Sequence, residues 1–142
     1  MRLIRSAHAV YKTQYHIVWV TRYRRKILNK GVVEYLKTKL QEARKYYPDW
    51  EYIAIGMEED HLHLHMVIPP KYAVSTVIGA LKRNTSRELS KKFRFLKDFY
   101  WDNEGIWSTG FFVSTVGINE VVIRKYVEMQ GKEDTGQAQL GF

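Results

Sequence analysis

The sequence predicts an α+β fold: an antiparallel sheet with helices on one face and one further helix at the C-terminal end. Three observations predict it. Runs rich in Val, Ile and Tyr alternate with segments whose apolar residues recur every three to four positions. Two of the strand-like runs are separated only by the acidic triplet Glu58, Glu59 and Asp60, which reads as a hairpin turn. Taken in order, the elements run strand, helix, strand, strand, helix, strand, helix.

The first strand is "VYKTQYHIVWV", residues 10–20, followed by a basic turn over 21–30 that ends at Gly31. From Val32 to Tyr47, Val33, Leu36, Leu40, Ala43 and Tyr47 trace one helical face, and Pro48 with Asp49 stops it. "WEYIAIGM" (50–57) and residues 61–68 form the hairpin, closed by Pro69 and Pro70. A second helix starts near Val74–Ser75, with Val77, Ile78 and Leu81 inward and basic residues outward. Residues 91–106 carry no period, and "WSTGFFVSTVG" (107–117) is a fourth strand ended by Gly117. Asn119 caps a last helix that runs to about Gln130; Gly131 and a polar tail, 132–142, follow, so the domain is 1–131. The order is that of the split βαβ, ferredoxin-like plan, which serves many functions and selects none.

Composition narrows the function. The chain has 142 residues, enough for one domain, and no cysteine, which excludes disulfides and leaves nitrogen and oxygen as the only metal donors. No apolar run approaches the length of a membrane span, and "MRLIRSAHAVYK" has no leader-like core, so a soluble cytoplasmic protein is expected. A formal charge of +8 favours a polyanionic partner. The charge is concentrated: seven basic residues between Lys82 and Lys97, among them Lys82, Arg83 and Arg87, face the single acid Glu88. Arg22, Arg24, Arg25 and Lys26 form a second cluster.

Three of the five histidines, His61, His63 and His65, alternate with Leu62, Leu64 and Met66. On a strand they share one face with ~7 Å between neighbours, near enough for two imidazoles to hold one cation. The leucines would bury against the helices and the histidines would leave the opposite, open face. Glu58, Glu59 and Asp60 are further ligands or a solvated turn. On the last helix Tyr126 and Gln130 lie one above the other. Periodicity alone makes Tyr126 a core or edge aromatic and Gln130 a surface residue.

Together "YHIVWVTRYRRKIL", "DHLHLHMVIPP", "LKRNTSRELS", "GFFVSTVG" and "YVEMQ" resemble the single-tyrosine HUH transposases of the insertion-sequence 200/605 type, from about His8 to Gln130. The pair of histidines around one apolar residue falls on His61 and His63, and the Tyr-x-x-x-Gln pattern on Tyr126 and Gln130. The resemblance implies the HUH nuclease fold, with Tyr126 on the terminal helix as the nucleophile that cuts single-stranded DNA through a 5′-phosphotyrosine. It implies a divalent ion, Mg²⁺ or Mn²⁺, held by His61, His63 and Gln130. It also implies a homodimer acting on hairpins at transposon ends, with Arg22, Arg24, Arg25, Lys82, Arg83 and Arg87 placed to hold DNA. Gly117 then serves as a hinge for the helix or simply as a strand-end turn.

The chain departs from the pattern twice. His65 stands where the family has an apolar residue, so His63 with His65 fits the spacing as well; Arg83 stands where glycine is common. Two other readings compete. One is a nickase of related chemistry, including a domesticated relative acting on repeated hairpins. The other is a non-catalytic ferredoxin-like module for single strands.

Overall fold

A computed structural model describes residues 3–5, 10–101 and 104–136. In chain order the elements are β1 (Ile4–Arg5), β2 (Val10–Tyr11), β3 (Gln14–Val20), α1 (Lys30–Glu42), β4 (Glu51–Met57), β5 (His61–Val67), α2 (Val74–Lys92), β6 (Phe112–Ser114) and α3 (Glu120–Asp134). Short 3₁₀ turns lie at Arg22–Arg24, Ala43–Lys45 and Arg94–Asp98. β1 and β2 form a separate antiparallel ribbon. The main sheet has the order β4-β5-β3-β6 with every neighbour antiparallel.

β5 shows the alternation expected of it: Leu62, Leu64 and Met66 are buried while His61, His63 and His65 are half-buried. The leucine face packs with Ile17 and Trp19 of β3 beneath Val32, Leu36 and Leu40 of α1 and Val77, Ile78, Leu81 and Leu89 of α2. The histidine face was expected to be open and is not. Val18 and Val20 of β3 point the same way as the histidines, and α3 covers them with Ile123, Tyr126 and Val127.

Several boundaries differ from the sequence reading. The first strand breaks at Lys12–Thr13, where the Thr13 hydroxyl and carbonyl turn to pair with Ile68. α1 begins at Lys30, because the Asn29 side chain accepts the Val32 N–H and caps it, and its final turn tightens into a 3₁₀ helix from Ala43. The fourth strand is short. Trp107 makes one isolated bridge to Thr21, and the Lys82 ammonium takes the carbonyls of Ser108 and Gly110. Gly110, at φ 93°, turns the chain there. α3 runs past Gly131 to Asp134, because that end is docked on the body of the protein rather than frayed. Residues 137–142 of the expected tail lie outside the described residues.

Candidate active site

β5 and β3 set the site by register. His61 lies opposite Val20, His63 opposite Val18, and His65 opposite His16. The three histidines are not equivalent. His61 places Nδ1 2.8 Å from a carboxylate oxygen of Asp60, which also pairs with Arg24 at 3.4 Å. The Asp60 carboxyl is held below its usual value, first by the bond from His61, so it is ionised and only accepts. Nδ1–H of His61 therefore donates to Asp60, and in the neutral ring the lone pair then lies on Nε2. His63 sets Nε2 3.3 Å from Nδ1 of His16. His65 sets Nε2 2.9 Å from the Gln14 side-chain oxygen and stacks on His16 with ring centroids 4.1 Å apart.

α3 brings the other two candidates. Tyr126 is 7 % exposed, packed among Val18, Val20 and Phe112, and its hydroxyl has no hydrogen-bond partner. Burial, then the nearby Asp134, pushes this phenol well above its usual range. Gln130 was expected at the surface but is buried, because α3 has a second contact face. Gly131 lies against Arg24 and Asp134 reaches Tyr23, so this face meets the Arg22–Arg24 turn, with Gln130 bonded to Asp134 beside them. The Gln130 amide donates to Asp134 at 3.4 Å, which leaves the amide oxygen outside that bond. The other Asp134 oxygen accepts the Tyr23 N–H at 2.8 Å and the Ser108 hydroxyl.

The donor set tests the metal expectation. Among the described residues no three His, Cys, Asp or Glu side chains converge as a metal cluster. Two imidazoles and an amide oxygen remain. They fit a borderline or hard divalent ion, and the Asp60 acceptor behind His61 is the arrangement that orients an imidazole ligand.

The basic residues divide. Arg22 donates to the carbonyls of Glu104 and Gly105, and Arg25 lies over the rings of Tyr23 and Phe99. Burial, then Arg22, brings the Lys82 ammonium down to about 8. Arg83, Arg87, Lys91, Arg94, Lys97 and the 82 % exposed Trp101 help line a groove of ≈ 730 Å³. That groove shares no lining residue with β5 or α3, and among the described residues none that lines it is acidic.

A family model described as "Transposase IS200 like" matches residues 9–130. The chain belongs to the IS200-like transposase family. It is 35 % identical to the transposase for insertion sequence element IS200 of Salmonella typhimurium, covering 96 % of this chain and 88 % of that protein. It is 30 % identical to the ISDra2 transposase TnpA of Deinococcus radiodurans, over 85 % of this chain and 86 % of the relative. The crystal structure of a putative transposase from Deinococcus radiodurans superposes with a TM-score of 0.77 at 27 % identity, covering 89 % of this chain and 97 % of that one.

As an IS200-like transposase the chain is a DNA-processing enzyme. Sequence reasoning missed several residues of its site. His16 and Gln14 alternate in phase with Val18, a signal that was present, but only the pairing register shows which histidines they meet. Asp134 had no local signal, and Arg24 was singled out for its charge but not for its contacts with Asp60 and Gly131. His63 and His65 are held below the usual imidazole value, first by burial and next by the His16 ring. The unfolded chain takes up these protons near pH ~6.5 and the folded chain only below that, so acid favours the unfolded state. Thermal midpoints of the metal-free protein are expected to fall between about pH 7 and about pH 5.5. A flat profile over that interval would contradict the burial of both rings.

Proposed function

We propose that this transposase cuts and rejoins single-stranded DNA by transesterification, with Tyr126 as nucleophile and His61, His63 and Gln130 as ligands of a divalent cation, Mg²⁺ or Mn²⁺. The observation that carries the reading is the orphaned Tyr126 hydroxyl. A buried hydroxyl without a partner costs about 1–3 kcal/mol, and phenylalanine would fill the same space without that cost. A tyrosine retained there, on the face that holds His61 and His63, is a reactive group kept out of water.

In the reaction the Tyr126 oxygen attacks a phosphodiester phosphorus as its proton leaves. The bond to the 3′-oxygen breaks, a 3′-hydroxyl departs, and a 5′-phosphotyrosine remains. Rejoining reverses the step with a new 3′-hydroxyl, so the bond energy is conserved and no ATP is needed. Held by His61, His63 and Gln130, a divalent cation would withdraw charge from the phosphate and stabilise the departing oxygen. Asp60 fixes the His61 tautomer, and Gln130 offers its amide oxygen once it turns from Asp134. The strand order and all-antiparallel pairing support reading the fold as the ferredoxin-like plan of HUH nucleases.

The substrates are hairpins at insertion-sequence ends, and the unit is a homodimer. The groove lined by Arg83 and Arg87, with no acid among the described residues that line it, suits their phosphates, whereas Arg22 and Lys82 are largely engaged within the protein. Incubation with a hairpin-bearing single strand and Mn²⁺ is expected to give a protease-sensitive adduct joined to the 5′ side of the break. Binding with no adduct under any divalent ion would leave only the binding-module reading.

A further inference from the structure

Tyr23 and Arg24 are consecutive non-glycine residues in the left-handed region, at φ 61° and 54°. Such backbone is unfavourable for L residues and persists where its surroundings impose it. Here the surroundings are the two halves of the site. The Tyr23 N–H points at Asp134 of α3, while the Arg24 side chain runs between Asp60 and Gly131. On one side Arg24 Nε sits 3.4 Å from the Asp60 oxygen that does not face His61. On the other, its stem lies so close under α3 that a Cβ built on Gly131 would fall 2.6 Å from Arg24 Cγ and nearer still to Cδ. Glycine weakens the interior of a helix, so its presence in α3, next to Gln130, answers to this approach.

We infer that Arg24 is a positioning residue that couples the seating of α3 to the orientation of His61, rather than a DNA contact. The inference rests on the proposed metal site for its catalytic meaning, but its geometry stands without a metal. With α3 seated, Gly131 holds the Arg24 stem, the guanidinium holds one oxygen of Asp60, and the other oxygen is left to accept His61 Nδ1–H. Displacing α3 frees Arg24, lets the carboxylate rotate, and loosens the tautomer that presents Nε2. Linkage makes the effect reciprocal: a cation on His61 strengthens the seating of the helix that carries Tyr126.

The test compares wild type, Gly131→Ala, Arg24→Ala and the double variant by two readouts. The ¹⁵N shifts of the His61 imidazole in metal-free protein report the tautomer, and Mn²⁺ titration reports affinity. Wild type is expected to hold one Nδ1–H tautomer. Both single variants should mix tautomers and weaken Mn²⁺ about tenfold, the range for loss of a group that orients a metal ligand. The double variant should be no weaker than Arg24→Ala alone, since the added methyl then meets only the Cβ of residue 24, at an ordinary 3.6 Å. If Gly131→Ala fails to fold, removal of the Arg24 side chain should restore folding; a double variant equally unfolded overturns the coupling. Tautomer and affinity unchanged in the folded single variants, or effects that multiply in the double, also overturn it. A wild type with a fixed His61 tautomer and no Mn²⁺ binding would sink the metal site instead, and the tautomers of the variants would still decide the coupling.

Discussion

Tyr126→Phe is expected to abolish the covalent protein–DNA adduct while raising the thermal midpoint of the free protein. The two halves of this result have one cause. The hydroxyl is buried with no hydrogen-bond partner, so deleting it removes an unsatisfied polar group and leaves the ring against Phe112, Val18 and Val20. The gain should be ~1 kcal/mol, or about 3–5 °C for a domain of this size. The same deletion removes the only atom able to form the phosphotyrosine, so no slower route to the adduct remains. DNA binding should stay near wild type, because a buried ring at this position offers no surface to a strand. Adduct is read by gel shift with and without protease, binding by titration of a labelled hairpin, and stability by thermal melts. An adduct that survives the substitution removes the nucleophile assignment. A lower midpoint would mean that the hydroxyl has a partner, and the buried arrangement would then be an ordinary structural one.

If Tyr126 is the nucleophile proposed above, the same burial keeps it protonated until it is needed. Burial disfavours the phenolate, so the seated tyrosine is inert toward water and stray phosphate. On that reading, reaction would need an environment with more positive charge than the seated one, such as a loaded metal site would supply. The Asp134 clamp on Tyr23 and Ser108, together with Gly131 on Arg24, defines what must let go.

The histidine strand was legible because period two is a local property: alternation with Leu62, Leu64 and Met66 sorts the two faces without knowledge of any neighbour. The helices α1 and α2 were legible for the same reason. What covers the histidine face was not. α3 shows one apolar stripe, which accounts for Ile123, Tyr126 and Val127 on β3, but it has a second contact face of Gln130, Gly131 and Asp134 on the Arg22–Arg24 turn. That face is polar and small, so periodicity assigned Gln130 to solvent and Gly131 to a helix stop. Lys82 is a parallel case. Its position among cations suggested a free charge, yet its ammonium is spent on carbonyls 26 and 28 residues away, at Ser108 and Gly110. Contacts of that range have no signature in local spacing. The proposed grouping of His61 with Tyr126 and Gln130 came from the family resemblance and not from residue chemistry alone.

His63→Ala is expected to reduce metal-dependent cutting by more than ~100-fold, while His65→Leu should keep it. His63 belongs to either possible ligand pair, so its loss is decisive whichever partner it uses. The two candidate partners differ in how their nitrogens are engaged, and the proposed ligand pair rests on that difference. In His61 the Asp60 carboxylate takes Nδ1–H and leaves Nε2 for a cation. In His65 it is Nε2 that meets Gln14, and the ring is stacked on His16, an arrangement that holds the strand pair together. Leucine at 65 would keep the apolar bulk and lose one hydrogen bond of a half-buried side chain, costing about 1 kcal/mol. His61→Ala, by contrast, removes an oriented ligand and should match His63→Ala in both cutting and Mn²⁺ affinity. The measurements are the yield of nicked strand across a Mn²⁺ titration, with a thermal melt on each variant to set stability apart from chemistry. Cutting lost in a well-folded His65→Leu but retained in His61→Ala would shift the ligand pair by two residues along β5. It would also turn the Asp60 contact into a structural cap on the hairpin, because the imidazole it orients would then hold no cation.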